Sequence, residues 1–387
     1  MEISFNENIL HLKQSDIRRM TLECQKHPQG INLSQGICDL DLPAELITGV
    51  SQAIKDGYNI YTRYDGIEEL RQAISQKMDY FNHIKYDPYS EITVTSGSAG
   101  AFFLALFALL EKDAEIILFQ PFYGYHYNTI LSLGLKAKVI TLNQEDDWSI
   151  DFDLVEKMIT SKTKAIVLNT PSNPSGKIFT ETEIRKLAKI ARDNNVFIIT
   201  DEIYEFITYD GIEHISPAAL DNFKSQVITI GGFSKTFSIT GWRIGYLCAN
   251  EEISRRIGVL NDLFYICAPA PLQKAVAEGL KMDHTFFSNL KDFYQKNRDL
   301  LVSELDKIGF KSYVPRGAYY LLADFSKLGF KNCQQAAAAI LEKTGVATVP
   351  GDSFFEDGSS KGNNLLRFCF AKKYDILKQA CQNLHKL

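Results

Sequence analysis

"KAIVLNTPSNPSGKIFTETEIRKLAKIARDNNVFIIT" runs from Lys164 to Thr200. It opens on a short apolar run, "KAIVLNT", and turns at "PSNPSGK". It closes on a second apolar run, "VFIIT" (Val196 to Thr200). Between the two, Thr180 stands as an N-cap with Glu183 at capping-box spacing. Ile184, Leu187, Ala188 and Ala191 recur at helical spacing. The stretch therefore reads as strand, helix, strand. Five more apolar runs carry the theme through the middle of the chain: "EITVT" at Glu91, "EIILF" at Glu115, "AKVITL" at Ala137, "VITI" at Val227 and "YLCA" at Tyr246. Strands apolar on both faces, alternating with helices, imply a mostly parallel seven-stranded sheet covered on both sides, an α/β architecture. From about Asp283 the pattern changes to long helices followed by "YYLLADF" (Tyr319 to Phe325) and "LLRFCFA" (Leu365 to Ala371), which predict a smaller α+β domain. The expected division is a large domain over 45–282 and a small one from 1–44 and 283–387, the N-terminal arm running across to join it.

Bulk properties exclude several classes. At 387 residues the chain exceeds one simple core. Its hydrophobic share of 45%, charged share of 23% and mean hydropathy of -0.13 are ordinary for a globular protein. A net charge of -5 argues against a nucleic-acid partner. The 7 cysteines are scattered with no CxxC pair, which suits neither a disulfide framework nor a zinc ribbon. Reduced, buried thiols in a cytoplasmic protein are expected, and no metal site is. The N-terminus lacks the basic and apolar regions of a signal peptide. "AGAFFLALFALL" (Ala99 to Leu110) falls short of the roughly 20 residues that span a bilayer and reads as a buried helix, so no membrane partner is expected.

In an open α/β sheet, ligands bind beyond the carboxyl ends of the strands, so the residues just after each strand are informative. "SGSAG" (Ser96 to Gly100) is a Gly/Ser loop opening a helix. It is either a phosphate cradle of backbone N–H groups or a plain strand-to-helix turn. "QPFYGY" presents Phe122, Tyr123 and Tyr125, as stacking platforms or core. "PSNPSGK" presents Asn173, whose amide either meets a ligand oxygen or caps its own turn. "DEIYEF" places Asp201 at the end of a buried strand, where a carboxylate needs a cation or strong donor. Tyr204 comes three residues later. "GGFSKTFSITGWRIGY" (Gly231 to Tyr246) sets Lys235 among apolar residues, where loss of water favours a nucleophilic neutral amine. Arg243, eight residues on, offers a fork for phosphate. One ligand needing all of these is a phosphorylated aromatic aldehyde with a ring nitrogen, and pyridoxal 5′-phosphate (PLP) fits.

The chain also resembles the fold-type I PLP-dependent aminotransferases of class I/II, in the aspartate, aromatic and kynurenine aminotransferase group. "SKTFSITGWRIGY", "NTPSNPSG", "TDEIY" and "LLRFCFA" carry that resemblance, and it covers nearly the whole chain. It implies Lys235 as Schiff-base lysine and proton shuttle and Asp201 as partner of the pyridine nitrogen. Tyr204 and Asn173 would contact the ring's phenolic oxygen, and Tyr123 would stack on the ring. The backbone at Ser98 and Ala99, with Arg243, would hold the phosphate. Arg367 would pair with the substrate α-carboxylate, near Gly36 and Asn173, while Ile17 would border its side chain. Tyr61 would reach the neighbouring subunit's phosphate in a homodimer.

Two departures stand out. Many relatives have a serine where this chain has Gly232, so a phosphate contact should be missing or taken by water. Some aspartate-specific relatives carry a lysine in the "SGSAG" loop, and here there is none. The expected reaction is ping-pong transfer of an amino group from an L-amino acid to a 2-oxo acid, 2-oxoglutarate foremost. An aromatic or apolar, methionine-like donor is favoured, with aspartate as an option. The alternatives are a PLP-dependent C–S β-lyase on the same fold and, remotely, a PLP-sensing regulator. The latter carries a DNA-binding domain for which the motifs, starting by Ser34, leave no room.

Overall fold

The computed structural model describes every residue except 1, 2, 11, 13, 221 and 222. After the two-residue β1 (Ile31–Asn32), seven strands build one sheet: β2 (Ile92–Ser96), β3 (Glu115–Gln120), β4 (Lys136–Thr141), β5 (Thr163–Asn169), β6 (Phe197–Asp201), β7 (Val227–Gly232) and β8 (Ile244–Cys248). Their spatial order is β2-β8-β7-β6-β5-β3-β4. The neighbours from β7 through β4 are all parallel, and β8 alone runs against both of its partners. The architecture is the mostly parallel α/β sheet that the sequence predicts.

Apolar runs without a polar face exist because both faces are covered. Ile116, Leu118, Ala165, Val167 and Ile199 pack on one side, under the helices Gly97–Leu109 and Glu251–Tyr265. Ile117, Phe119, Ile166, Leu168 and Ile198 pack on the other, against Ile184, Leu187, Ala188 and Ala191 of the helix Glu181–Asp193. That helix starts with the expected reciprocal cap: Glu183 N donates to Thr180 Oγ1 at 3.2 Å, and Thr180 N donates to Glu183 Oε2 at 2.8 Å.

Two local expectations need correction. The Gly/Ser loop after β2 does not exist as a loop: Ser96 ends the strand and the helix begins at Gly97. Gly97, at φ +75, turns the chain within one residue. β7 in turn runs on past its apolar residues through Gly231 and Gly232, so Lys235 lies closer to the strand's end than "VITI" suggests.

A second sheet is antiparallel. It contains β9 (Lys311–Tyr313), β10 (Tyr320–Asp324), β12 (Val349–Pro350) and β13 (Leu365–Cys369), in the order β12-β13-β10-β9. β11 (Val346–Ala347) pairs in parallel with β1, which ties the N-terminal segment to the C-terminal part of the chain. Leu321, Ala323, Leu366 and Phe368 share a core with Leu301, Leu305, Ile340 and Leu377 of the C-terminal helices. Among the described residues, no helix is long and apolar enough to cross a membrane.

The register brings the strand ends level. Asn169 of β5 lies opposite Asp201 of β6, which lies opposite Ile230 of β7. Above this edge lies a cavity, closed from the other side by β10 and β13.

Candidate active site

The cavity measures about 470 Å³. Ile17, Gly36, Ser98, Ala99, Tyr123, Asn173, Asp201, Tyr204, Lys235, Arg243 and Arg367 all line it. Tyr61 does not: it lies on the surface, 78% exposed, in a shallow depression with Ile60 and Pro271.

Lys235 leaves the end of β7 and points inward, its Nζ 3.3 Å from the carbonyl of Gly36. Among the described residues, no carboxylate pairs with it. Burial holds its ammonium pKa below the ordinary lysine value, and the nearby Arg243 and Arg367 guanidinium groups act in the same direction. The neutral amine is thereby favoured.

Asp201 closes the floor. Its Oδ2 lies 3.0 Å from His126 Nε2, and its Oδ1 accepts from the backbone N–H of Ile203 at 3.2 Å. Asn169 braces two site residues at once: its Nδ2 donates to the Asp201 carbonyl at 3.1 Å and its Oδ1 accepts from Asn173 N at 2.7 Å. So Asn169, not Asn173, caps the Pro-rich turn. The Asn173 side chain is left to accept from Arg367 at 2.8 Å.

Arg367 is fully buried yet has no ion pair among the described residues. One nitrogen binds Asn173, another the carbonyl of Ser34, and Nε has no partner among the described residues. Its guanidinium lies over the rings of Tyr320, at 4.2 Å, and Phe354, at 4.8 Å. A buried cation without a counter-ion is costly, and a bound carboxylate removes that cost.

At the other end, Gly97, Ser98 and Ala99 form the first turn of a helix, whose N–H groups lack intrahelical acceptors. A Cβ at Gly97 would stand 2.4 Å from an Arg243 nitrogen. The bare glycine lets that guanidinium meet the helix N-terminus, and together they make an anion cradle. The Ser98 hydroxyl donates to the Gly231 carbonyl at 2.8 Å. It fills the place beside Gly232, where a Cβ would come within 2.5 Å of Ser98 Oγ. The space that a side chain at 232 would need is thus occupied by the Ser98 hydroxyl.

Aromatic groups complete the walls. Tyr123 stacks on Tyr125 with centroids 5.1 Å apart and meets His126 edge-on. Phe122, grouped with them in the sequence, stacks instead on Tyr127 and does not line this cavity. The Tyr204 hydroxyl lies 3.2 Å from that of Tyr320, and burial raises both phenol pKa values.

His126, Asn169 and Tyr320 escaped the sequence reading. His126 is the one with a usable signal, a lone histidine three residues past Tyr123 in the helix after β3. Tyr320 reads as an ordinary strand residue.

Comparison with known proteins now has a site to attach to. Residues 28–384 match the family model described as "Aminotransferase class I and II". Methionine aminotransferase of Escherichia coli is 31% identical over 369 residues, covering 95% of each chain. An aspartate aminotransferase of a Bacillus species is 31% identical, covering 92% of this chain and 91% of that one. The solved N-succinyldiaminopimelate aminotransferase of Mycobacterium tuberculosis superposes with a TM-score of 0.95 at 30% identity, covering 99% of both. The names of these relatives span different donors. The family's cofactor, PLP, suits the residues present: a desolvated amine without a counter-ion, an anion cradle and a carboxylate on the floor. The chain belongs to the aminotransferase class I and II family and is a PLP-dependent aminotransferase, EC 2.6.1.-.

Proposed function

We propose that this aminotransferase moves an amino group from an aromatic or apolar, methionine-like L-amino acid to 2-oxoglutarate by a ping-pong route, with Lys235 as the working base. The observation that carries the reading is that Lys235, half-buried, and Arg367, fully buried, face one cavity and neither forms an ion pair among the described residues.

PLP, when bound, supplies an aldehyde that combines with amines and a cationic ring that takes up electron density. Arg243 and the N–H groups of Gly97, Ser98 and Ala99 would hold its phosphate. Tyr123 would cover one ring face. Asp201, kept in place by His126 and the Ile203 N–H, would accept a hydrogen bond from the ring nitrogen. Tyr204 and Asn173 would serve its phenolic oxygen. Arg367 fixes the substrate α-carboxylate in its planar fork. Lys235 Nζ, favoured as a free amine, then takes the proton from the substrate α-carbon and carries it onward. Ile17 and Tyr125 border the side chain.

A homodimer is part of the proposal. Tyr61 and Ile60 are exposed beside Pro271, and Val259, Leu263, Phe264 and Ile266 are exposed as well, apolar surface of the kind that interfaces cover. Tyr61 is free to enter a second copy's cradle. The division of the chain at 45–282 and 1–44 plus 283–387 is also proposed, its two units meeting at the cavity.

The test is a panel of amino donors against 2-oxoglutarate and pyruvate, with both products identified. One new amino acid formed for each oxo acid released supports the reading. Pyruvate and ammonia without a new amino acid would overturn it in favour of elimination. A panel in which aspartate outperforms phenylalanine, tyrosine and methionine would overturn the donor preference alone.

A further inference from the structure

Tyr320 touches three parts of the site at once, and its place in the register explains why. Leu322 of β10 lies opposite Arg367 of β13, and residues two apart on a strand share a face. Tyr320 is therefore the diagonal neighbour of Arg367, within reach of a large ring. The centre of that ring lies 4.2 Å from the guanidinium carbon. Its hydroxyl end continues to the Tyr204 hydroxyl, at 3.2 Å, and fills the space where a Cβ at Gly36 would stand. Tyr204 follows β6 of the first sheet and Tyr320 belongs to the second, so the contact crosses between the sheets. Both tyrosines are buried.

The hydroxyl pair carries a proton that it does not use. A phenol holds one proton and can accept as well as donate. Tyr204 donates to Tyr320, whose hydroxyl makes no other hydrogen bond among the described residues. If Tyr204 turns its proton to the phenolic oxygen of the cofactor ring, its own oxygen is left buried without a donor. The Tyr320 proton is then left without an acceptor. Reversing the pair satisfies both groups at once. In a site that excludes water such chains polarise, and a hydroxyl that accepts a hydrogen bond becomes a stronger donor.

We infer that Tyr320 is a positioning residue acting at both ends of the site: its hydroxyl donates to Tyr204 and strengthens Tyr204's bond to the cofactor, and its ring holds the Arg367 fork toward the substrate carboxylate. The inference rests on the transamination reading and deepens it. A donor that draws charge from the phenolic oxygen lowers the proton affinity of the nitrogen through which Lys235 holds the cofactor. The titration of that nitrogen is therefore an optical report on the Tyr320 hydroxyl. Asp201, Tyr123 and His126 face the same space from the first sheet, Arg243 beside Lys235, and Arg367 from the second. The Tyr319 phenol and the Cys38 and Cys369 thiols lie close by. A change at Tyr320 alone keeps all of these, so a shift reports on Tyr320.

The test takes two readings on the holoenzyme: a pH titration of the cofactor's near-visible absorbance, and the dissociation constant of 3-phenylpropionate, an unreactive monocarboxylic acid. Tyr320→Phe removes the oxygen and keeps the ring. It should raise the absorbance midpoint by about 0.5–1 pH unit, about a three- to tenfold gain in proton affinity from one lost hydrogen bond. It should leave 3-phenylpropionate within about twofold of the wild type. Tyr320→Leu removes the ring as well. It should raise the midpoint equally and weaken 3-phenylpropionate about fivefold, the loss of a desolvated cation–ring contact. The inference is overturned if Tyr320→Phe leaves the midpoint unchanged or lowers it, or if the two variants weaken the acid equally. Tyr320→Phe decides the hydroxyl's role whatever Tyr320→Leu does to folding. Absence of amino transfer with every donor would instead sink the transamination reading, and the midpoint would still report on Tyr320.

Discussion

Asp201 and Glu202 adjoin at the end of β6, and each meets a histidine: Asp201 with His126 at 3.0 Å, Glu202 with His214 at 2.8 Å. Successive residues of a strand face opposite ways, and here the two faces differ in kind. Asp201 opens into the cavity. Glu202 turns into packed protein, where Ser216 fills its other oxygen at 2.8 Å. Glu205, close by, is filled by Lys77, by Asn82 at 2.9 Å and by Tyr246 at 3.3 Å. Glu202, Glu205 and His214 bring ligand atoms within 4.8 Å of one another, a spacing that suits a metal ion. Each carboxylate oxygen of Glu202 and Glu205 nevertheless already has a partner within the chain, while His214 Nδ1 has none among the described residues. A carboxylate–imidazole pair is thus structural when both carboxylate oxygens are held by packed protein, and becomes a site only where one side faces open space.

The contrast can be broken by exchanging the two acids' fates. Asp201→Ala should lower turnover by about 10³-fold, the scale of a lost electrostatic contact at a reacting group, while the melting temperature changes little. Glu202→Gln should do the reverse, costing about 1–3 kcal/mol of stability through a mismatched buried hydrogen bond, with far smaller loss of turnover. Kinetics and thermal melts on both variants decide it, and equal turnover losses would erase the distinction.

Lys77 sharpens the structural half. Its removal leaves Glu205 buried without its cation, so Lys77→Met should destabilise by about 3–5 kcal/mol. A denaturant titration showing an unchanged midpoint would mean that the cluster contributes little to the fold.

A smaller effect tests the anion cradle. Gly232→Ser must push against Ser98 Oγ, and overpacking of this kind costs about 1–3 kcal/mol. The variant should bind PLP more weakly, and Gly232→Ser with Ser98→Gly should recover the loss. Equal weakening in the single and double variants would show that the two positions do not share one space.

The smallest effect is in pH. Only the neutral amine of Lys235 attacks a carbonyl, so capture of PLP by the apoenzyme should speed up as pH rises. Because burial lowers the ammonium pKa, the midpoint should fall below the ordinary lysine value of about 10.4. A midpoint at or above that value in stopped-flow absorbance would contradict the desolvated amine.

Much of this was legible in the sequence because strand ends were. "KAIVLNT" and "VFIIT" show by composition that they are buried on both faces, and the residue just past each is then a candidate by position alone. The parts that escaped depend on strand order. β3 lies next to β5 in space, and the helix after it brings His126 to an aspartate 75 residues away, a meeting that no local spacing encodes. The missing loop at Gly97 hinges on one positive φ value.

The central claim is that Lys235 is the amine that engages the cofactor. Borohydride reduction of the holoenzyme, digestion and mass spectrometry read this directly. The account predicts a phosphopyridoxyl mass on the peptide containing Lys235 and on no other lysine. Label on Lys77, on Lys177 or nowhere would contradict it.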